Sequence, residues 1–203
     1  MKHYKCYLFD FDGTLFDTLP SLYRVYIESF KHIGISVKKE DCLEFFGTSL
    51  ETTFNKMNPP KEKFEEFCNY LVKLLNDEET VKNTLIYPDT KYLFKKLLKK
   101  KVSYGIVTGN NSKHINDVFD FFDIKRKNLV IVGSDSKIKQ KPNKEPIYKA
   151  LELLHYTGDL KDVVYIGDTF IDEETAKNAG VSFLMINRQS KNKKCINTFR
   201  EII

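Results

Sequence analysis

Long apolar runs are missing from this chain. The longest, such as Leu129 to Val132 and Val163 to Ile166, are strand-sized, far short of the roughly 18 residues that cross a bilayer. Ahead of Asp10 only Cys6 to Phe9 is apolar, too short for the apolar region of a secretory leader, so the expected compartment is the cytoplasm and no membrane partner is expected. Cysteine is sparse as well. Cys6, Cys42, Cys68 and Cys195 lie far apart with no CxxC or Cys/His ligand spacing, which speaks against zinc and fits reduced, packed thiols. Only 9 Gly and 6 Pro occur in 203 residues, with 41% hydrophobic and 30% charged side chains. That composition excludes fibrous and disordered classes and suits one generous domain, or a core with a small insert. Arginine is scarce too: Arg24, Arg126, Arg188 and Arg200 are the only ones, and the net charge of +5 is carried mostly by lysine. Lys95, Lys96, Lys99, Lys100 and Lys101 interleave with Leu97 and Leu98, the pattern of a solvated helix face. No nucleic-acid module is expected.

Apolar runs recur at Tyr4 to Phe9, Val102 to Val107, Leu129 to Val132, Val163 to Ile166 and Ser182 to Ile186. Between the later ones, apolar residues fall three and four apart, as in Leu93, Phe94, Leu97, Leu98 and Ile147, Leu151, Leu154. Strands alternating with helices predict an α/β fold, a doubly wound parallel sheet covered on both faces. The alternation stops from Leu19 to about Asn83, where only helical periodicity is found. An all-helical insert after the first strand is therefore expected over residues 17–86, with 1–16 and 87–203 forming the α/β core. The insert holds 9 basic and 12 acidic residues, so its surface differs in sign from the basic remainder. Its Tyr23, Tyr26, Phe30, Phe45, Phe46, Phe54, Phe64 and Phe67 read as helix-packing core.

The first strand runs into Asp10-Phe11-Asp12-Gly13-Thr14. Residues two apart on an extended chain point the same way, so Asp10 and Asp12 converge at the carboxyl edge of the sheet, where open α/β sheets bind ligands. Two carboxylates there repel unless a divalent cation or a shared proton intervenes. The second strand ends in Thr108-Gly109-Asn110, with Asn111 or Ser112 placed to cap a helix. A hydroxyl, glycine amide and helix N-terminus together suit an anion. Lys141 stands before Pro142 in a polar loop, while Lys137, Lys139 and Lys144 read as water-facing. Another strand leads to Gly167-Asp168-Thr169-Phe170-Ile171-Asp172, a second acidic pair at a strand end, although Asp172 with Glu173 and Glu174 also suits a helix dipole.

This ordered set resembles the haloacid dehalogenase superfamily, whose four motifs match Asp10-x-Asp12-Gly13-Thr14, Thr108, Lys141 and Gly167-Asp168-x-x-x-Asp172. The helical insert resembles the cap of the subgroup that contains phosphoglycolate phosphatases and β-phosphoglucomutases. An acid at Asp12 separates the phosphoryl-transfer members from the dehalogenases. The resemblance implies a magnesium-dependent phosphatase acting on a small phosphorylated metabolite, with Asp10 as nucleophile forming an aspartyl phosphate and Asp12 as acid and then base. It assigns Mg2+ to Asp10, the Asp12 carbonyl, Asp168 and Asp172, and the phosphoryl oxygens to Thr108, Gly109, Asn110 and Lys141.

Two alternatives remain at this level: a phosphomutase, and a non-catalytic phospho-receiver or binding module. The resembled mutases carry a cap-loop arginine where this chain has Leu50, and Arg24, alone in the insert, falls at a register that suggests a solvated role. The Gly47-Thr48-Ser49-Leu50 segment resembles a cap loop that approaches substrate. His114 reads as a helix-surface residue, and His3, His32 and His155 show no partner pattern.

Overall fold

Strand-sized aliphatic runs become strands where helices cover both faces, and five do so here. The computed structural model describes residues 3–45, 48, 50–100, 102–188 and 195–203. The central sheet comprises β1 (Cys6–Phe9), β4 (Ser103–Val107), β5 (Val130–Val132), β6 (Val163–Gly167) and β7 (Ser182–Met185), in the spatial order β5-β4-β1-β6-β7. Every pairing is parallel, with Phe9 opposite Ile106 on one side and Ile166 on the other. This is the expected doubly wound architecture. Successive residues of β1 face opposite layers. Cys6 and Leu8 join Val107, Tyr165, Ile147 and Ala176 on the face covered by α7 (Glu145–Leu153) and α8 (Phe170–Ala179). On the opposite face Phe9 meets Phe199, and Phe11, Phe16, Phe94 and Phe119 form an aromatic layer with α5 (Thr90–Lys100) and α6 (Ser112–Phe121).

The chain divides into two compact units, residues Met1–Asp17 with Ile86–Ile203, and Thr18–Leu85. The two-residue strands β2 (Phe16–Asp17) and β3 (Leu85–Ile86), too short to be legible as strands, pair where the chain leaves and re-enters the sheet unit. The second unit contains α1 (Leu19–His32), α2 (Leu50–Lys56), α3 (Phe64–Leu75) and α4 (Glu78–Lys82). Its centre is aromatic: Phe30 contacts Phe67 and Phe45, and Phe54 contacts Phe67 and Phe64. Arg24 departs from the solvated role its register suggested. Its Nη2 donates to Asp77 Oδ1 at 2.6 Å and to Thr80 Oγ1 at 2.7 Å, and Nη1 reaches Glu28 at 3.4 Å. Asp77 also caps α4 by accepting from the Thr80 amide, so this arginine is consumed in tying α1 to the start of α4. His32 likewise has partners, stacking on Tyr70 at 3.9 Å and facing Glu66 at 3.6 Å. Phe46, Gly47, Ser49 and Lys101 of the expected features lie outside the described residues.

Candidate active site

The carboxyl ends of β1, β4 and β6 meet at one edge of the sheet, and the acids gather there. Asp10 follows β1, its amide donating to Ile166 O at 2.8 Å, and its side chain is buried. The chain then turns tightly: Gly13 N donates to Phe16 O at 2.7 Å with φ of +73°, in the left-handed region. A Cβ on Gly13 would stand 2.2 Å from Asp168 Oδ2, so glycine is required both for the turn and for the approach of Asp168. Thr14 Oγ1 donates to Asp168 Oδ1 at 3.2 Å.

Lys141 reaches into this acidic group from the loop before α7. Its Nζ lies 2.8 Å from Asp10 Oδ1, 2.7 Å from Asp172 Oδ1 and 3.2 Å from the Tyr165 hydroxyl, and its side chain is 13% exposed. Lys137, Lys139 and Lys144 are exposed. Asp172 is the third residue of α8 and forms a capping box with Thr169; its Oδ2 accepts from Thr169 N and Oγ1 while Oδ1 faces Lys141 and Tyr165. Both of its oxygens are therefore engaged by protein donors. Close packing of Gly167 against this residue, where a Cβ would meet the Asp172 Cβ at 2.4 Å, permits the box to sit directly at the strand end.

Thr108 is buried at the end of β4, and its hydroxyl accepts from the Asn110 amide at 3.1 Å. The Asn110 amide, assigned by resemblance to phosphoryl oxygens, is thus held by Thr108 in this structure, while Asn110 Nδ2 lies 3.5 Å from Asp12 Oδ1. Asn111 caps α6 by accepting from His114 N. The turn is braced from β5: Ser134 N donates to Asn110 O at 2.9 Å, and Asp135 Oδ1 accepts from Ser112 N and Oγ, both at 3.0 Å. His114 is not on the helix surface. It is buried against Phe11, ring centroids 6.3 Å apart, because the first turn of α6 lies on the aromatic layer.

Sequence reasoning passed over Tyr165 and Asp135. An aromatic residue in an aliphatic strand reads as packing, and only the fold brings its hydroxyl to a lysine 24 positions away. Also missed is a cluster around Asp89, whose carboxylate accepts from Arg188 Nη1 at 2.6 Å, Thr198 Oγ1 at 2.5 Å and Phe199 N at 2.7 Å. Arg188 Nη2 donates in turn to Thr14 O at 3.1 Å.

Electrostatics follow from one ammonium among several acids. Burial and the charges of Asp172, Asp12 and Asp168 push the Asp10 carboxyl well above the usual range against the pull of Lys141. Burial and the Asp172 charge raise Asp168 to about 6, a Thr14 hydrogen bond opposing them. Asp172, despite burial, is held below its ordinary value by Lys141, Thr169 and Tyr165. Lys141, although buried, is held well above its ordinary value by Asp10, Tyr165 and Asp172. Asp10, Asp168 and Asp172 each offer an oxygen, all within 4.8 Å of one another. This clustered, under-neutralised, all-oxygen donor set fits a hard divalent cation.

The chain matches the family described as haloacid dehalogenase-like hydrolase over residues 7–186. It belongs to that family. Pyrophosphatase PpaX from Bacillus mycoides is 27% identical, over 95% of this chain and 88% of the relative. Phosphoglycolate phosphatase from Aquifex aeolicus is 26% identical, over 85% of this chain and 80% of the relative. A haloacid dehalogenase-like chain of known structure from Bacteroides fragilis superposes with a TM-score of 0.83 at 25% identity, covering 98% of this chain and all 100% of that one. Among the described residues of this hydrolase no helix is long and apolar enough to cross a membrane.

Proposed function

We propose that the chain hydrolyses a small phosphorylated metabolite with magnesium, through an aspartyl phosphate on Asp10. The enzyme is a haloacid dehalogenase-like phosphatase; the metal, the intermediate and the residue roles are our reading. The observation that carries it is the buried Asp10 carboxylate held at 2.8 Å by Lys141, with Asp168 and Asp172 alongside.

In the first step Asp10 attacks phosphorus, forming an O–P bond as the bond to the leaving oxygen breaks, and Asp12 gives that oxygen its proton. In the second, water attacks the phosphoryl group, Asp12 takes the water proton, and Asp10 is released as carboxylate together with inorganic phosphate. One residue serves both steps because the first leaves it in the charge state the second needs. Thr108, the Gly109 amide and Lys141 would stabilise the phosphoryl oxygens. Asp10, the Asp12 carbonyl and Asp168 would hold Mg2+, with Asp172 reaching it directly or through water. When bound, the ion would offset the excess negative charge around Asp10 and polarise the phosphoryl oxygens.

The mutase reading is disfavoured by Arg24, the insert's single arginine, because its guanidinium is spent on Asp77, Thr80 and Glu28. Selection of the substrate is assigned to the helical unit, as the cap of the resembled subgroup. The relatives' names make pyrophosphate and phosphoglycolate the first substrates to test. Turnover of p-nitrophenyl phosphate, followed by those two compounds, should require Mg2+, cease with EDTA and return when Mg2+ is restored. Undiminished turnover in metal-free buffer would remove the metal from the mechanism, and no turnover of any phosphate ester would remove the phosphatase reading.

A further inference from the structure

Tyr165 occupies a position where packing asks only for an apolar side chain. In β6 its neighbours are Val164 and Ile166, it is fully buried, and it shares its face with Leu8, Val107, Ile147 and Ala176. Its ring meets Phe183 at a centroid distance of 6.5 Å. Phenylalanine would fill the same space. A phenol there must instead find polar partners, since an unpaired buried hydroxyl is destabilising.

It finds three. The hydroxyl lies 2.8 Å from Val107 O, 2.9 Å from Asp172 Oδ1 and 3.2 Å from Lys141 Nζ. Its one hydrogen goes to Val107 O or Asp172 Oδ1, and its oxygen accepts from Lys141. From the lysine's side, an ammonium has three hydrogens, and three protein acceptors surround this one: Asp10 Oδ1, Asp172 Oδ1 and Tyr165. Lys141 comes from a loop and ends a flexible four-carbon stem, so its position depends on where its acceptors stand.

We propose that Tyr165 is a positioning residue that keeps the Lys141 ammonium on Asp10. The inference rests on the phosphatase reading and adds to it a residue outside the four motifs. Without the hydroxyl, the ammonium keeps a buried Asp172 with further hydrogen bonds of its own, and the lysine loses the third contact that fixes it between the two carboxylates. Its charge then ceases to be held where negative charge develops on the phosphoryl oxygens during transfer.

The test compares Tyr165→Phe, Lys141→Ala and the double variant on p-nitrophenyl phosphate with Mg2+, well below the lowest melting midpoint of the set. Tyr165→Phe should lower kcat about tenfold, the effect of losing one hydrogen bond to a charged group, with KM changed far less. In the Lys141→Ala background the same change should cost nothing further. A wild-type kcat in Tyr165→Phe would show a packing residue and overturn the inference; so would an undiminished tenfold loss on top of Lys141→Ala. An active wild type impaired by Lys141→Ala but not by Tyr165→Phe leaves the phosphatase reading standing, whereas an inactive wild type overturns both.

Discussion

Asp10 and Lys141 meet inside the protein at 2.8 Å, the carboxylate side chain 6% and the lysine side chain 13% exposed, which makes both intolerant of change for different reasons. Asp10→Asn keeps the shape and removes the proposed nucleophile, so turnover should fall by about a thousandfold or more while the circular dichroism spectrum stays that of the wild type. Near-normal rates would move the nucleophile elsewhere. Lys141→Ala should cost far more activity than Lys139→Ala, since Lys139 is exposed and its backbone amide, not its ammonium, is what bonds Glu145, at 3.0 Å. Equal losses would show that the wrong lysine had been selected. The acids at positions 10, 12, 168 and 172 were legible along the chain because short spacings and strand ends are local properties. Tyr165, His114 and Arg24 were not. Each was misread or missed because its partner, Lys141, Phe11 or Asp77, is remote in sequence or on a different element.

At the scale of elements, strands and helices obey local rules. The five sheet strands fall on the aliphatic runs, and α8 is delimited by its own residues: the Thr169–Asp172 capping box at one end and Gly180 in the left-handed region at the other. The turn between β1 and β2 also needs outside support, which Arg188 supplies by joining Thr14 O to Asp89. Burial alone would raise the Asp89 carboxyl, but the Thr198 hydroxyl, Phe199 amide and Arg188 guanidinium hold it below its ordinary value. A group whose folded pKa is depressed contributes stability above its unfolded value, near pH 4, and loses it as pH falls through the folded value. Asp89→Asn should therefore lower stability at neutral pH by about 3 kcal/mol, because a buried guanidinium loses its charge partner. In urea denaturation followed from pH 7 downward, the gap between wild type and variant should close below about pH 4. A gap independent of pH would assign the effect to packing.

At the scale of the whole molecule, the destination of the phosphoryl group, water or a second hydroxyl, separates a phosphatase from a mutase. A mutase must grip the second phosphate of its substrate, and arginine is the residue best shaped for that; here Arg24 is bound to Asp77 and Thr80. Incubation with a sugar monophosphate and its bisphosphate should release free phosphate faster than it interconverts isomers. Faster isomerisation would reverse the assignment. Alternating apolar runs and helical periods were enough to set the class of fold, because burial on both faces of a parallel sheet imposes a pattern on each segment separately. The ordered motifs carried the family resemblance for a similar reason: each is a strand end with its own turn chemistry. Which side chains complete the site was decided only by the folded chain. Register places β6 beside β1, and that adjacency brings the Tyr165 hydroxyl, the Asp172 capping box and the Lys141 ammonium to one carboxylate; no local pattern encodes a meeting of residues more than a hundred positions apart.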